Sequence, residues 1–244
     1  RHADCRIFQE LSALEVIKKI FSDRGFSDIK DKTSSTFEKR EYLVQYRETD
    51  FEFVTRLMEE EGMYYFFTHD DSKETLVLAD GAGSHSALKG AAEIRFEFKE
   101  DGAGGSGAAA GGTFKRDEDH IYEWKSSERV ASGKVSLTDY DFKKPTTDLK
   151  ALTSIPKGRH GRKTIEVYDY PGIHDTADFG KTRTRIRAEA LASEYKRTWG
   201  KSNVRTMAVG GTFKLKEHPR TDFNKEYLVL GAKHKLQIET DGDK

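Results

Sequence analysis

Gly200-Lys201-Ser202 has the residue types that end a phosphate-binding loop, in which backbone N–H groups and a lysine cradle an anion. That loop also needs a glycine five residues earlier, and Tyr195 stands there. His69-Asp70-Asp71, and His2 with Cys5, have the side chains of metal ligands. Neither group has the spaced partner set of a zinc site, and a polar turn and a chain end account for them. Lys181, Arg183, Arg185 and Arg187 could grip phosphates. Alternate residues on a helix point to different sides, however, so they make no stripe, and a solvated face or a protein contact explains them better. No G-x-S-x-G elbow and no H-E-x-x-H occurs, and no pair of carboxylates stands out as a glycosidase dyad. The residue types therefore predict no catalytic group, no metal and no cofactor.

Around these groups the chain reads as structural elements. Ser12 and Glu15 have capping-box spacing, Leu11 can staple onto Val16, and Val16, Ile17, Ile20 and Phe21 recur at helical intervals before Gly25. This predicts a helix from about Ser12 to Arg24. Tyr42, Val44 and Tyr46 then alternate with Leu43 and Gln45 as a strand does. Thr49 and Glu52 form a second capping box, Phe53, Val54, Leu57 and Met58 make an apolar stripe, and Gly62 can end the helix in a left-handed conformation. The two helices align from cap to glycine, which fits either a faint duplication or convergence on good helix grammar. Glu59, Glu60 and Glu61 sit in the last turn, where the helix dipole disfavours each exposed negative charge by ~0.3–1 kcal/mol. A basic neighbour or partner compensates them, or solvent does.

Met63, Tyr64, Tyr65, Phe66 and Phe67 form an unbroken apolar run, predicting a strand covered on both faces. His69–Ser72 is a turn, Glu74–Leu78 the return strand, and Asp80-Gly81 closes the hairpin. Gly102 to Gly112 contains only glycine, alanine and serine, a loop or linker composition that is either natural or a replacement for a longer loop. Beyond it, strands are expected at 135–138, 164–168, 211–215, 226–230 and 233–238. Turns fall at Pro171-Gly172 and 222–225, and one helix spans about 178–196. Short strands at this density predict a barrel or a sandwich.

The chain has 244 residues, 35% of them hydrophobic, and no apolar run near the ~18 residues of a membrane span. It shows no signal peptide and does not begin with methionine, which predicts a piece of a longer protein. The one cysteine, Cys5, excludes an internal disulfide framework and suits a reducing compartment. Formal charge is zero but uneven: residues 1–100 carry 15 basic and 21 acidic side chains, and residues 101–244 carry 27 and 21. The two halves face different neighbours, face each other, or are ordinary solvated surfaces.

REYLVQYRETDFEFVTRLMEEEGMYYFF, Arg40 to Phe67, followed by ETLVLADG, resembles the signature of the VgrG family, the spike hubs of bacterial type VI secretion systems. Asp4 to Asp28, KVSLTDYDFKKPTTDL (Lys134 to Leu149), EVYDYPG (Glu166 to Gly172) and Gly211 to His234 resemble further family blocks, in order. The resemblance implies a β-rich α+β fold like a phage tail hub, with tandem small β-barrels and short amphipathic helices alongside. On that plan residues 1–100 are the helix-strand-helix-hairpin part, 101–116 a loop or linker, and 117–244 a β-barrel-like hub domain. The residues matching the family pattern are scaffold: Thr49, Glu52, Gly62, Tyr64, Tyr65, Phe66, Phe67, Tyr140, Tyr170, Pro171, Gly172, Phe213 and Tyr227.

The family further implies a homotrimer that docks on a tube of Hcp and carries a needle, a needle-tip protein and effectors. It would assemble in the bacterial cytoplasm and leave with the spike, without nucleic acid or stable membrane insertion. A contractile-phage baseplate hub is the neighbouring reading. A cell-wall hydrolase borne on a spike is a different one, requiring a pocket with perturbed carboxylates.

Overall fold

The computed structural model describes residues 3–70, 72–98 and 118–236. The Gly102–Gly112 run, the 101–116 linker, His2, Asp71 and the end of the 233–238 strand lie outside the described residues.

β1 (Ala3–Phe8) and β2 (Leu11–Ser12) lead into α1 (Ala13–Asp23). Ser12 starts that helix as expected: its Oγ accepts the Glu15 N–H at 3.3 Å, and the Glu15 carboxylate accepts the Ser12 N–H at 2.7 Å. β3 (Ile29–Asp31), β4 (Lys39–Arg40) and β5 (Leu43–Thr49) precede α2 (Asp50–Glu61). Next come β6 (Tyr64–Asp70), β7 (Lys73–Ala79), β8 (Ser86–Ala87), β9 (Glu93–Phe96) and β10 (His120–Glu128). The remaining elements are β11 (Lys134–Leu137), β12 (Ala151–Ser154), β13 (Glu166–Asp169), α3 (Ala177–Ser193), β14 (Lys196–Ser202), β15 (Gly211–Lys216) and β16 (Glu226–Leu228). Among the described residues no helix is long and apolar enough to cross a membrane.

These elements form two compact units, neither continuous in sequence. The first comprises residues 1–65, 69–81 and 125–198. Its main core joins the stripes of α1 (Val16, Ile17, Ile20) and α2 (Phe53, Leu57, Met58) with Phe8, Leu43 and Leu78. A smaller cluster sets Val135 and Leu137 of β11 with Ala188 of α3, and β11 is the middle strand of a sheet ordered β12-β11-β13. The second unit comprises residues 66–68, 82–124 and 199–244. Its six-stranded sheet runs β14-β10-β9-β15-β16, with β8 also on β15, and its core gathers Ile94, Phe96, Ile121, Phe213, Leu215 and Phe223.

The charge imbalance along the chain disappears within the first unit. There, residues 1–65 and 69–81 carry 12 basic and 18 acidic side chains while residues 125–198 carry 16 and 10, so the unit is neutral.

Four expectations change. The aromatic run is not covered on both faces: β6 is the outer strand of the sheet β3-β7-β6, Phe66 is buried, and Tyr64, Tyr65 and Phe67 are 36–40% exposed. An edge strand has a neighbour on one side only, so its side chains keep part of their surface in water. Residues 233–236 form no strand. The 164–168 strand starts later, at Glu166, because Gly161–Thr164 closes into a 3₁₀ turn. The third helix ends at Ser193, and Lys196 already begins β14.

The β1–β5 pair also inverts the usual polarity of a strand. Leu43 and Gln45 are buried, while Tyr42, Val44 and Tyr46 are 53%, 37% and 63% exposed. Buried Gln45 is satisfied by geometry: Arg6 Nε donates to its Oε1 at 3.0 Å, and its Nε2 donates to the Glu48 carbonyl and the Asp50 carboxylate at 3.0 Å each. A buried amide with all its partners carries little penalty.

Candidate functional site

Two of the three glutamates that end α2, Glu60 and Glu61, are compensated by arginines, two of them from distant parts of the sequence, while Glu59 is exposed. Arg40, on β4, donates to Glu60 at 2.6 Å and also hydrogen-bonds Glu61. Arg56, one turn before Glu60 on α2, donates to Glu48 at 2.5 Å and to Glu60 at 3.3 Å. Arg183, on α3, lies 3.7 Å from Glu60 and 4.7 Å from the centre of the Phe179 ring. Arg183 and Glu61 are buried, and the Nε and Nη2 atoms of Arg183 make no hydrogen bond.

Burial alone would raise the Glu60 carboxyl. The Arg40 hydrogen bond and the charges of Arg40, Arg183 and Arg56 outweigh it and hold the group below its usual range. Burial, followed by repulsion from Arg40, pulls Arg183 down, while Glu60 and Glu61 support its charge. The carboxylate thus stays ionised at neutral pH and has no tendency to trade protons there. The arrangement ties the end of α2, strand β4 and helix α3 together.

A similar knot begins α2. Arg6 and Arg24 converge on Asp50, Arg24 Nε at 2.8 Å, and Gln45 adds an amide. Burial opposes ionisation of Asp50, and the Gln45 and Arg24 hydrogen bonds with the Arg6 charge prevail, lowering its pKa.

The thirteen residues of the sequence signature hold separate local structures and do not converge on one pocket. Thr49 Oγ1 accepts the Glu52 N–H at 3.2 Å, and the Glu52 carboxylate accepts the Thr49 N–H at 2.7 Å, completing the second capping box. Gly62 takes φ 71°, and Met63 N–H closes the helix end on the Met58 carbonyl at 2.8 Å. A Cβ on Gly62 would stand 3.0 Å from the Ile186 side chain of α3, so glycine is needed for conformation and for space. Tyr64 donates to the Gly81 carbonyl at 3.1 Å. Phe66 stacks on His85 with centroids 5.1 Å apart. Phe213 and Tyr227 pack with Trp124: the Tyr227 ring lies 5.9 Å from Phe213 and 4.9 Å from Trp124.

Tyr140 and Tyr170 are exposed, and the Tyr170–Pro171 peptide is cis. Gly172 N–H donates to the Thr138 carbonyl at 2.9 Å. Its Cβ would meet the His174 ring at 2.5 Å, and a Cβ on Gly180 would meet the other end of that ring at 2.6 Å. His174 is the residue the sequence did not reveal. It is buried, with Nε2 donating to the Leu149 carbonyl at 2.7 Å and its backbone N–H donating to Asp139 at 3.1 Å. The glycines on either side were visible in the sequence, but the ring they enclose was not. Arg40 was equally hidden, the glutamate run at a helix C-terminus being its one signal, and Arg183, read from the sequence as part of a solvated face or a protein contact, is instead buried beside Glu60.

Among the described residues no group of three or more His, Cys, Asp or Glu is arranged to hold a metal ion. The polar chemistry assembled here positions secondary structure.

Residues 1–240 match the model of the phage tail baseplate hub (GPD) family. Type VI secretion system spike protein VgrG1b of Pseudomonas aeruginosa is 39% identical over 239 residues, 98% of this chain and 30% of that protein. The chain thus spans about a third of the length of the curated relatives it matches. Among solved structures, the E. coli c3393 protein is a type VI secretion component described as similar to the T4 tail proteins gp27 and gp5. It superposes with a TM-score of 0.58 at 16% identity, over 93% of this chain and 45% of that one. A 43 kDa tail protein of prophage MuSo2 from Shewanella oneidensis gives 0.55 at 14% identity, over 91% and 61%. The expected resemblance and the β-rich, hub-like α+β fold are both borne out.

Proposed function

Because the chain belongs to the phage tail baseplate hub family, we propose that it is the hub portion of a type VI secretion spike, acting by geometry rather than by catalysis. The observation that carries this reading is the match over 98% of the chain to a spike protein at 39% identity. The local chemistry supports it. Capping boxes, buried ion pairs and ring-filling glycines all serve to fix elements against one another, as a part that transmits force requires. In the longer protein, three copies would form the hub, dock on a tube of Hcp and carry a needle with its tip and effectors. Assembly would take place in the cytoplasm, with the spike then leaving the cell.

Light scattering on the full-length protein tests the reading. A stable trimer burying more than ~2,000 Å² is expected, and a monomer would overturn the hub assignment. The family description and the prophage tail protein of like fold favour a second reading, a contractile-phage baseplate hub. Co-sedimentation of the full-length trimer with Hcp tubes separates the two, since a hub built for another tube would stay in the supernatant.

A further inference from the structure

The turn between β15 and β16 is closed by a histidine used as an acceptor. His218 Nδ1 accepts the Arg220 backbone N–H at 3.0 Å. Since an N–H must point at Nδ1, that nitrogen carries no proton, and the neutral ring has its hydrogen on Nε2. Asn224 clamps the same residue from across the turn. Its Oδ1 accepts the His218 N–H at 2.8 Å, and its Nδ2 donates to the His218 carbonyl at 3.0 Å. The ring is wedged between Phe96 of β9 at 4.3 Å and Phe223 at 4.9 Å, both members of the second unit's core. Glu217, just before it, is held at φ 61°, a left-handed conformation costly for a residue with a side chain. The closed turn therefore holds a strained residue in place.

We propose that His218 is a proton-operated clasp: neutral, it closes the turn of residues 217–224, and protonated, it lets that turn and the adjoining end of the β15–β16 pair open. Protonation puts a hydrogen on Nδ1, where it meets the Arg220 N–H head on, so the bond that closes the turn becomes a repulsion. The new charge also lies between two phenyl rings. The charged groups acting on His218 are Arg220 and Asp222, which pair with each other at 2.9 Å, while β9 presents Phe96. Asp222 is already engaged by Arg220, so the carboxylate nearest the ring offers it little help. Burial correspondingly holds His218 below its ordinary value of 6.5.

The sign follows from linkage. The open turn binds the proton at the ordinary value and the closed turn only at lower pH, so closure is complete above about pH 6.5 and weakens as pH falls. Uptake of at most one proton on opening makes the open population rise as pH falls, by no more than about tenfold per pH unit in that window. Amide hydrogen exchange in the full chain, corrected for intrinsic rates and followed by NMR from pH 7.5 to 5, reads this directly. Opening at Arg220 and Asn224 should begin to rise near pH 6.5 and level off only as the ring of the closed turn itself titrates, while Phe213 in β15 holds its protection longer. In His218→Asn, whose Oδ1 stands where Nδ1 does and can accept the same N–H without titrating, the rise should vanish. The proposal is overturned by Arg220 exchange that stays flat over the range, by a rise that levels off at a pH above the midpoint of the His218 ring, or by a rise persisting in the variant. The comparison of the two wild-type curves stands even if the variant does not fold.

Discussion

Each unit has an apolar core, and the anchors around those two cores differ. In the first, the ends of α2 are pinned by ions: Asp50 with Arg6 and Arg24 at one end, Glu60 and Glu61 with Arg40 and Arg183 at the other. In the second, rings fill the equivalent role: Trp124, Phe213 and Tyr227 on strands of the sheet, and Phe96, His218 and Phe223 at the ends of strands. Ion pairs specify which element meets which, but each partner left alone in a partly buried place is costly. Rings give stability through area and depend little on salt.

The largest effects should come from breaking each kind of anchor. Arg40→Ala leaves Glu60 and Glu61 partly buried without their main partner and should cost roughly 3–5 kcal/mol in urea unfolding. Phe213→Ala should cost a similar amount, ~3–5 kcal/mol, through a cavity. The contrast lies in the rescue. Replacing Arg40, Glu60, Glu61 and buried Arg183 together by apolar residues of like size should recover most of the first loss, whereas leaving Arg183 in place would strand a buried charge. A cost below ~0.5 kcal/mol for Arg40→Ala would mean that solvent, not Arg40, compensates the glutamates.

Gly62→Val comes next, at roughly 1–3 kcal/mol, because a β-branched residue is strained at φ 71° and its Cβ would press on Ile186. Gly62→Ala should cost less, and a Val variant as stable as the wild type would show that the helix end can relax away from α3.

Acid should separate the units by window. Glu60 and Asp50 have lowered folded-state pKa values, so their contribution is complete above the ordinary carboxylate values of 4.5 and 3.8 and is lost as pH falls through the still lower folded ones. His218, lowered from 6.5, begins to cost stability sooner, as pH drops below about 6.5. Hydrogen exchange between pH 7 and 3 should therefore show the 217–224 turn loosening first and the α2 ends last. The reverse order would contradict the assignment of ions to one unit and rings to the other.

The smallest expected change is Tyr227→Phe. It keeps the ring contacts and loses the hydroxyl donation to the Phe223 carbonyl at 3.0 Å, worth about 0.5–1.5 kcal/mol. The loss should be nearly the same at 0.05 and 1 M salt, a span over which the Debye length shrinks to ~3 Å. Strong salt dependence would mean that charge contributes more to this cluster than the rings suggest.

What the sequence determined alone was local. Ser12 with Glu15, and Thr49 with Glu52, place two helix starts to the residue, and Gly62 places a helix end, because capping is decided within four or five neighbouring residues. The family likeness was legible for a related reason: it rests on ordered blocks of residues and needs no coordinates. Tertiary structure decided whatever depends on which distant element arrives. Alternation in β5 showed a strand, yet only the packing of β1 and α2 put Gln45 inside and Tyr46 outside, since the side-chain period of two fits either face equally well. The apolar run at Tyr64 showed β6, but its place at a sheet edge was settled by which strands pair. Three glutamates at a helix end announced a missing positive charge. That it would be supplied by Arg40, 20 residues away, and by Arg183 from α3 follows from long-range contacts that no local pattern encodes.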